Sequence, residues 1–410
     1  MNGTNGKIIK HSVKLAIPQS GDVAACRAVI ADGGAIRSDK KWKSLTDKNV
    51  SSGIVGRSAQ GYVTYGVNKI YLYDGNDLQA IGQLTGNVKY VSSTNMRGSL
   101  IFSAKYAGTY SVDTAGVLSK ITDDSFYSVT TCCERVIGIV GNRLCFGLIG
   151  NTKLTYDGDY IDLPTDCDAV VGFGSYVYAL GKSCYKVKID ANVNDIKAEK
   201  IADGLGGVNE RSVAVVGDRI VFATASGLYA LRGDRLTRVC DDIATNLDLS
   251  ECRANSYEGK YFLSDCKTTK TALLLDVENG SCERVFQKGL IEIYTYADET
   301  VAVFEGGQFK TLGEADDDDV CWEQTGIDFK TVCDKYLRYV SVKTDYPLDL
   351  YVTVGNETRL KRVKGKRFTQ KIPVCGCGKE ISVRVRANGC MNVQLLELTA
   401  ETYAEDDYVD

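Results

Sequence analysis

The sequence runs to 410 residues, 44% hydrophobic and 25% charged, which excludes a wholly disordered chain, a collagen-like fibre and a simple coiled coil. Its 49 Lys and Arg against 53 Asp and Glu leave a formal charge of −4, so no whole-chain positive field draws in nucleic acid or anionic lipid. The single histidine, His11, excludes Ser/His/Asp, Cys/His and multi-histidine metal constellations within one chain, and leaves carboxylate pairs as the open enzymatic route.

With 41 Gly and 24 Tyr beside 4 Pro and 3 Met, short strands joined by glycine turns are expected, and an all-β class. Residues 1–20 read as a polar N-terminal arm with no continuous apolar signal-peptide core, and no later stretch reads as a transmembrane helix. From Val23 to Leu45 two short β runs flank a turn at Asp32-Gly33-Gly34. These strands are expected to pair with the last repeat and close a ring, which removes two exposed sheet edges.

One pattern then recurs, a β run, a turn, a second β run and another Asp/Gly turn, at 61–81, 98–121, 142–163, 175–190, 218–239, 260–286 and 300–312. The strand before the second turn is marked by Tyr71, Tyr110, Leu154, Tyr185, Tyr229, Leu273 and Phe309. Their mean step is about 40 residues, the length of a four-stranded propeller blade. Residues alternate along each run, as Val221, Ala223 and Ala225 do against Ile220, Phe222 and Thr224. A unit of this size cannot bury both its faces alone, and radial stacking supplies the cover. The expected fold is a β-propeller of about seven blades over 21–313, with six or eight as the alternatives.

Several residues inside this region invite a chemical reading. Asp74-Gly75, Asp157-Gly158, Gly217-Asp218 and Gly233-Asp234 have the composition of β-turns. Ser111-Val112-Asp113 before Gly116 resembles a sialidase Asp-box without its closing Trp. The run Gly204 to Gly207 is glycine-rich but precedes a strand, so a loop between blades is expected rather than a phosphate cradle. The 15 cysteines sit mostly singly in apolar runs, as Cys145 and Cys184 do, and are expected to be reduced and buried. Cys132 and Cys133 are expected to point to opposite faces of a strand. Cys375, Cys377 and Cys390 form no standard metal spacing, so neither a metal nor a cofactor is assigned.

Residues 314–320 form an acidic linker, and 321–402 alternate at period two as an independent small β-sandwich should. Seven cations crowd one stretch of it: Arg359, Lys361, Arg362, Lys364, Lys366, Arg367 and Lys371. With a turn at Lys364-Gly365-Lys366, several are expected on one solvated face of a hairpin, either as charged edges that resist aggregation or as a partner-binding patch. An acidic tail, 403–410, closes the chain.

The opening from Gly21 to Leu45 resembles the start of tailed-phage and prophage virion proteins, although Ser38-Asp39 stands where these often carry Arg-Pro-Gly. Trp322, Glu323, Asp328, Phe329, Lys335, Leu337 and Arg338 are similar to the motif with which such proteins begin a terminal sandwich. The resemblance implies a non-enzymatic, tail-associated structural protein, made in a bacterial host cytoplasm and acting as an assembly or host-contact scaffold. Its partners would be other virion proteins or further copies of itself, without nucleic acid or membrane insertion. A glycan-binding propeller for a cell-surface sugar is the alternative, and a carbohydrate-active enzyme the third reading.

Overall fold

The computed structural model describes residues 7–13, 15, 26, 29–32, 35–38, 41–48, 52–86, 88, 90–245, 247–264, 272–286, 289–296, 299–313, 319–329 and 334–402. The expected turn glycines Gly33 and Gly34, linker residues 314–318 and the tail 403–410 lie outside the described residues. Nearly all the regular structure is antiparallel strand. Among the described residues, no helix is long and apolar enough to cross a membrane. Two compact units emerge, one from 43–280 with 289–312, the other from 1–42, 281–288 and 313–410.

The first unit is a series of seven small antiparallel sheets, numbered I to VII in chain order. Sheet I comprises Gly53–Arg57, Tyr62–Tyr65, Lys69–Tyr73 and Leu78–Gln83. Sheet II follows with Val91–Met96, Ser99–Ala104, Gly108–Val112 and Leu118–Thr122. Sheet III has Ser128–Cys132, Arg135–Val140, Arg143–Phe146 and Asp159–Asp162. Sheet IV has Cys167–Phe173, Tyr176–Gly181, Ser183–Lys188 and Lys197–Asp203. Sheet V has Ala214–Val216, Arg219–Thr224, Gly227–Arg232 and Arg235–Val239. Within this unit sheet VI contributes Arg253–Tyr257, Lys260–Ser264 and Ala272–Asp276, and sheet VII Leu290–Tyr296, Glu299–Phe304 and Gln308–Gly313.

Six of the seven expected marks lie on the third strand of their sheet. Leu154 does not: the third strand of sheet III ends at Phe146, and Leu154 sits in the following connection, buried among Phe126, Val129 and Val136. The turns carry the expected chemistry. Asp74 Oδ1 accepts from the Asn76 and Asp77 N–H groups at 2.8 and 2.9 Å, and Asp113 Oδ1 accepts from Ala115 and Val117 at 2.9 Å.

Successive sheets pack on one another. Sheets I and II share Val63, Tyr65, Leu100 and Phe102, and sheets II and III share Ile101, Phe126 and Val136. Sheets III and IV share Ile139, Phe146, Val177 and Tyr185, and sheets IV and V share Tyr178, Leu180, Ile220 and Phe222. Tyr261 of sheet VI donates to Ser212 O ahead of sheet V at 2.7 Å, and Asn255 of sheet VI donates to Ile293 O of sheet VII at 2.8 Å. Sheet VII in turn packs Val301, Val303 and Phe309 on Ile54, Tyr62 and Tyr73 of sheet I. The inner strands of the sheets are thus covered on both faces, which is why Val221 and Ala223, expected to point outward, are as buried as Ile220 and Phe222, whereas fourth strands such as Lys197–Asp203 and Arg235–Val239 are largely exposed.

The second unit holds two antiparallel sheets. One runs Ser281–Val285, Val29–Asp32, Ala35–Ser38, Asn392–Thr402, Lys335–Thr344, Lys366–Gly378, with Lys7–Ser12 also paired to Asn392–Thr402. The other runs Asp319–Ile327, Ile381–Asn388, Leu348–Val354, Glu357–Val363. Burial alternates along Leu348–Val354 and Ile381–Asn388, the signature of one covered face. The expected closing strands therefore divide. Val29–Asp32 and Ala35–Ser38 stay in this unit, where buried Ile36 pairs with buried Val393. The next strand, Lys41–Ser44, instead joins sheet VII as its fourth strand, beside Gln308–Gly313 as expected, and Leu45 N–H donates to Phe309 O at 3.0 Å.

Candidate functional site

The basic stretch of the second unit is not a hairpin. Glu357–Val363 pairs with Leu348–Val354, whereas Lys366–Gly378 pairs with Lys335–Thr344 in the other sheet. The chain can cross at Gly365 only because that residue lacks a side chain: a Cβ there would lie 2.3 Å from Asp345 O. The cations consequently do not share one face. Arg359 and Lys361 stand opposite buried Val352 and Leu350, on the covered face, and Arg359 donates to Val374 O at 2.7 Å. Arg362 stands on the other face, 87% exposed and 3.8 Å from Asp349. Lys364, Lys366, Arg367 and Lys371 are exposed, Lys366 lying 5.0 Å over Phe368 and Lys371 5.0 Å over Tyr339.

The residues that resemble the virion motif are structural here. Trp322 and Leu337 are buried, and Arg384 binds Glu323 at 2.6 Å. Lys335 is wholly buried, its ammonium donating to Lys379 O. Arg338 pairs with Glu401, and His11 lies 5.3 Å from Phe329.

A second grouping, in the first unit, was not singled out from the sequence. In an antiparallel meander the start of the first strand and the end of the second fall at the same end of the sheet. There each of the seven sheets contributes a polar side chain: Tyr65 from I, Lys105 from II, Tyr127 at the start of III, Asp168 from IV, Glu210 ahead of V, Arg253 from VI and Glu292 from VII. Lys105 Nζ binds Glu210 Oε1 at 3.3 Å and lies 4.9 Å over the Tyr127 ring. Tyr90, just before sheet II, donates its hydroxyl to Glu210 O at 3.2 Å, and the Arg211 guanidinium lies 5.3 Å over its ring. Sheets II and V are not neighbours in the series, so these bonds reach past sheets III and IV. Asp168 Oδ2 accepts from Val208 N–H at 2.8 Å.

Between sheets VI, VII and I, Arg253 Nη1 donates to Glu292 Oε2 at 3.1 Å and to Ser52 O at 3.3 Å, while Ile54 N–H donates to the same Glu292 oxygen at 3.0 Å. Gly53 makes room for this: a Cβ there would lie 2.5 Å from Tyr65 Cε1 and 2.8 Å from Arg253 Nη1. Burial raises the Asp168 carboxyl above its ordinary range, with nearby Glu210 adding to it. Burial likewise raises the phenols of Tyr90 and Tyr65. The glycine run at 204–207 is the expected loop between sheets, and its continuation delivers Val208, Glu210 and Arg211 to this cluster. A charged segment following a glycine loop was the available signal; its partners Lys105 and Tyr90 are more than a hundred residues away in sequence, and Asp168 is 40 residues away.

Among the described residues no group of three or more His, Cys, Asp or Glu side chains is placed to hold a metal ion. All the described cysteines are free thiols; nine are buried, and Cys133, Cys375, Cys377 and Cys390 are exposed. Cys133 does not continue the strand of Cys132. With Glu134 it forms a two-residue turn, φ 49° and 58°, closed by the Cys132–Arg135 pair, so the two sulfurs lie 3.7 Å apart instead of on opposite faces.

No family model and no curated protein matches the chain. Among solved structures it is similar to PorZ, a bacterial surface component of the type-IX secretion system of Porphyromonas gingivalis, at 10% identity and TM-score 0.47, covering 67% of this chain and 39% of that one. It is similar to the extracellular domain of the putative hybrid two component system BT3049 from B. thetaiotaomicron at 12% identity and TM-score 0.47, covering 80% of this chain and 49% of that one. The computationally designed Ika8 protein matches at 11% identity and TM-score 0.43, covering 67% of this chain and 99% of that one. The chain thus spans less than half the length of the first and second of these proteins.

Proposed function

We propose that this chain is a non-enzymatic structural protein of a tailed-phage or prophage virion, tail-associated, whose seven sheets close into a propeller and whose other two sheets form an appended β-sandwich. Closure is supported by the packing of sheet VII on sheet I and by Glu292, which accepts from Ile54. The observation that carries the scaffold reading is the state of the polar cluster common to all seven sheets. Its charges are engaged with one another, Lys105 with Glu210 and Arg253 with Glu292, and so tie sheets together. A propeller enzyme needs such groups turned toward a substrate. The virion assignment rests on the resemblance of the opening and of the Trp322 to Arg338 segment.

The test is fractionation of induced tailed particles from a lysogen carrying the gene, probed with antibody to the full chain. Co-sedimentation with intact tails supports the proposal. Protein found only in the free fraction overturns the virion assignment. Hydrolysis of a glycan substrate that is lost in Glu210→Gln would overturn the non-enzymatic reading separately.

One observation favours glycan binding as a second reading. A cleft of about 360 Å³ is lined by Asp159, Tyr160, Asn192 and Asn194. Tyr160 is 41% exposed and backed at 3.8 Å by the Arg143 guanidinium, a ring held flat for stacking beside amide and carboxylate groups suited to sugar hydroxyls. Binding on a glycan array that disappears in Tyr160→Ala would establish it.

A further inference from the structure

The adjacent thiols of Cys132 and Cys133 have no part in the scaffold reading, yet the fold holds them in a defined pose. Strand Ser128–Cys132 is paired to Arg135–Val140 through the tight turn of Cys133 and Glu134. Arg135, itself buried, anchors that turn by donating to Gly147 O at 2.9 Å and to Ala191 O. Cys132 is buried with Sγ 3.5 Å from Tyr176 O, and its thiol donates to Cys133 Sγ at 3.7 Å. Cys133 is exposed. The pair is therefore a rigid two-sulfur edge with one sulfur open to solvent.

The 3.7 Å separation selects what can bridge it. A direct disulfide needs about 2.05 Å between sulfurs and Cα atoms at least about 4.4 Å apart, whereas neighbouring residues across a trans peptide are held at about 3.8 Å. A single soft atom bonded to both sulfurs at about 2.3 Å puts them about 3.8 Å apart at a tetrahedral angle and about 3.5 Å apart at the roughly 100° angle of a pyramidal trivalent centre, each within a few tenths of an ångström of the separation already present. A tetrahedral zinc ion would want further ligands, and no third His, Cys, Asp or Glu stands beside these two among the described residues. A trivalent arsenic carrying its own organic substituent needs only two sulfurs.

The geometry points to Cys132 and Cys133 as a dithiol capture site for trivalent arsenicals. The reaction is a condensation without change of oxidation state. An aryl arsenic oxide, R–As=O, exchanges its oxygen for two sulfurs; two As–S bonds form, and the oxygen leaves as water with the two thiol protons.

The test uses the reduced full-length chain titrated with phenylarsine oxide and read by intact mass and peptide mapping. The expected result is one bridging adduct on the peptide containing Cys132 and Cys133, released by ethanedithiol but not by an equal amount of a monothiol. Cys132→Ala and Cys133→Asn should each weaken capture about 100-fold or more, the loss expected when a second, intramolecular attachment is removed. Asn tolerates the left-handed backbone at position 133, so that variant keeps the turn. Replacing Cys375, Cys377 and Cys390 together by Ser should leave the adduct in place. An unlabelled peptide, or labelling undiminished in either single variant while its melting is unchanged, overturns the site.

Discussion

The two units solve the same problem, covering small antiparallel sheets, in opposite ways. In sheets II and V the second strands, Ser99–Ala104 and Arg219–Thr224, are buried at five of six positions, because a neighbouring sheet lies on each face. In the other unit Ile381–Asn388 alternates strictly, its charged residues Arg384 and Arg386 on the parity opposite buried Val383 and Val385. The period-two pattern is sharp where one face meets water and blurs to an apolar run where both are covered. The same difference decides where charge is tolerated: on the open face of a sheet in one unit, at the ends of the sheets and along their exposed fourth strands in the other.

The largest test of this contrast is Phe222→Ala, which removes a fully buried ring stacked on Tyr229 between sheets IV and V. It should cost about 3–5 kcal/mol in denaturant titration. Leu360→Thr, on the open face of Glu357–Val363, should move the same measurement by less than about 0.5 kcal/mol. Equal losses would sink the two-face description. Next comes Glu292→Gln, which leaves Arg253, only 14% exposed, without its anionic partner and weakens the tie to Ile54. Because the pair is partly solvated, the expected loss is about 1–3 kcal/mol, below that for a fully buried pair. Its effect on sheet I should appear as faster hydrogen exchange at Ile54.

Smaller is the difference between two arginines three residues apart. Arg359→Ala gives up a bond to Val374 O and should cost about 1 kcal/mol; Arg362→Ala, whose ion pair is exposed, should cost under about 0.5 kcal/mol. The smallest effect is a pH dependence. Lys200, the Ser183 hydroxyl and the Gly204 N–H hold Asp203 at about 2, against about 3.9 for an unfolded Asp. Its contribution is present above the unfolded value and lost as pH falls through about 2. Melting temperatures of Asp203→Asn should thus fall less steeply than those of the parent between about pH 4 and 2.

The array of sheets was legible because turn chemistry repeats: Asp74 ahead of Gly75 and Asp113 ahead of Gly116 each accept backbone N–H groups of their turn. Leu154 was misplaced because buried loop residues and strand residues have the same composition, and only register distinguishes them. The basic stretch was legible as exposed charge but not as two strands in two sheets, since the close approach of Gly365 to Asp345 O is a tertiary fact. The cluster of Lys105, Asp168, Glu210, Arg253 and Glu292 escaped notice because no two of these residues are near one another in the chain.

The bond from Ile54 to Glu292 has a temporal side. The two residues are 238 positions apart, and a ribosome adding about 5–20 residues each second takes roughly 12–48 s to make the second after the first. Through that interval sheet I has its neighbour on the side of sheet II but none on the other, and its apolar flank of Ile54, Tyr62 and Tyr73 stays unclaimed until sheet VII is made. A nascent chain of this design therefore carries its own most adhesive surface near its beginning for most of its synthesis. That surface, rather than any face of the finished protein, is where a chaperone or a second nascent copy would first take hold.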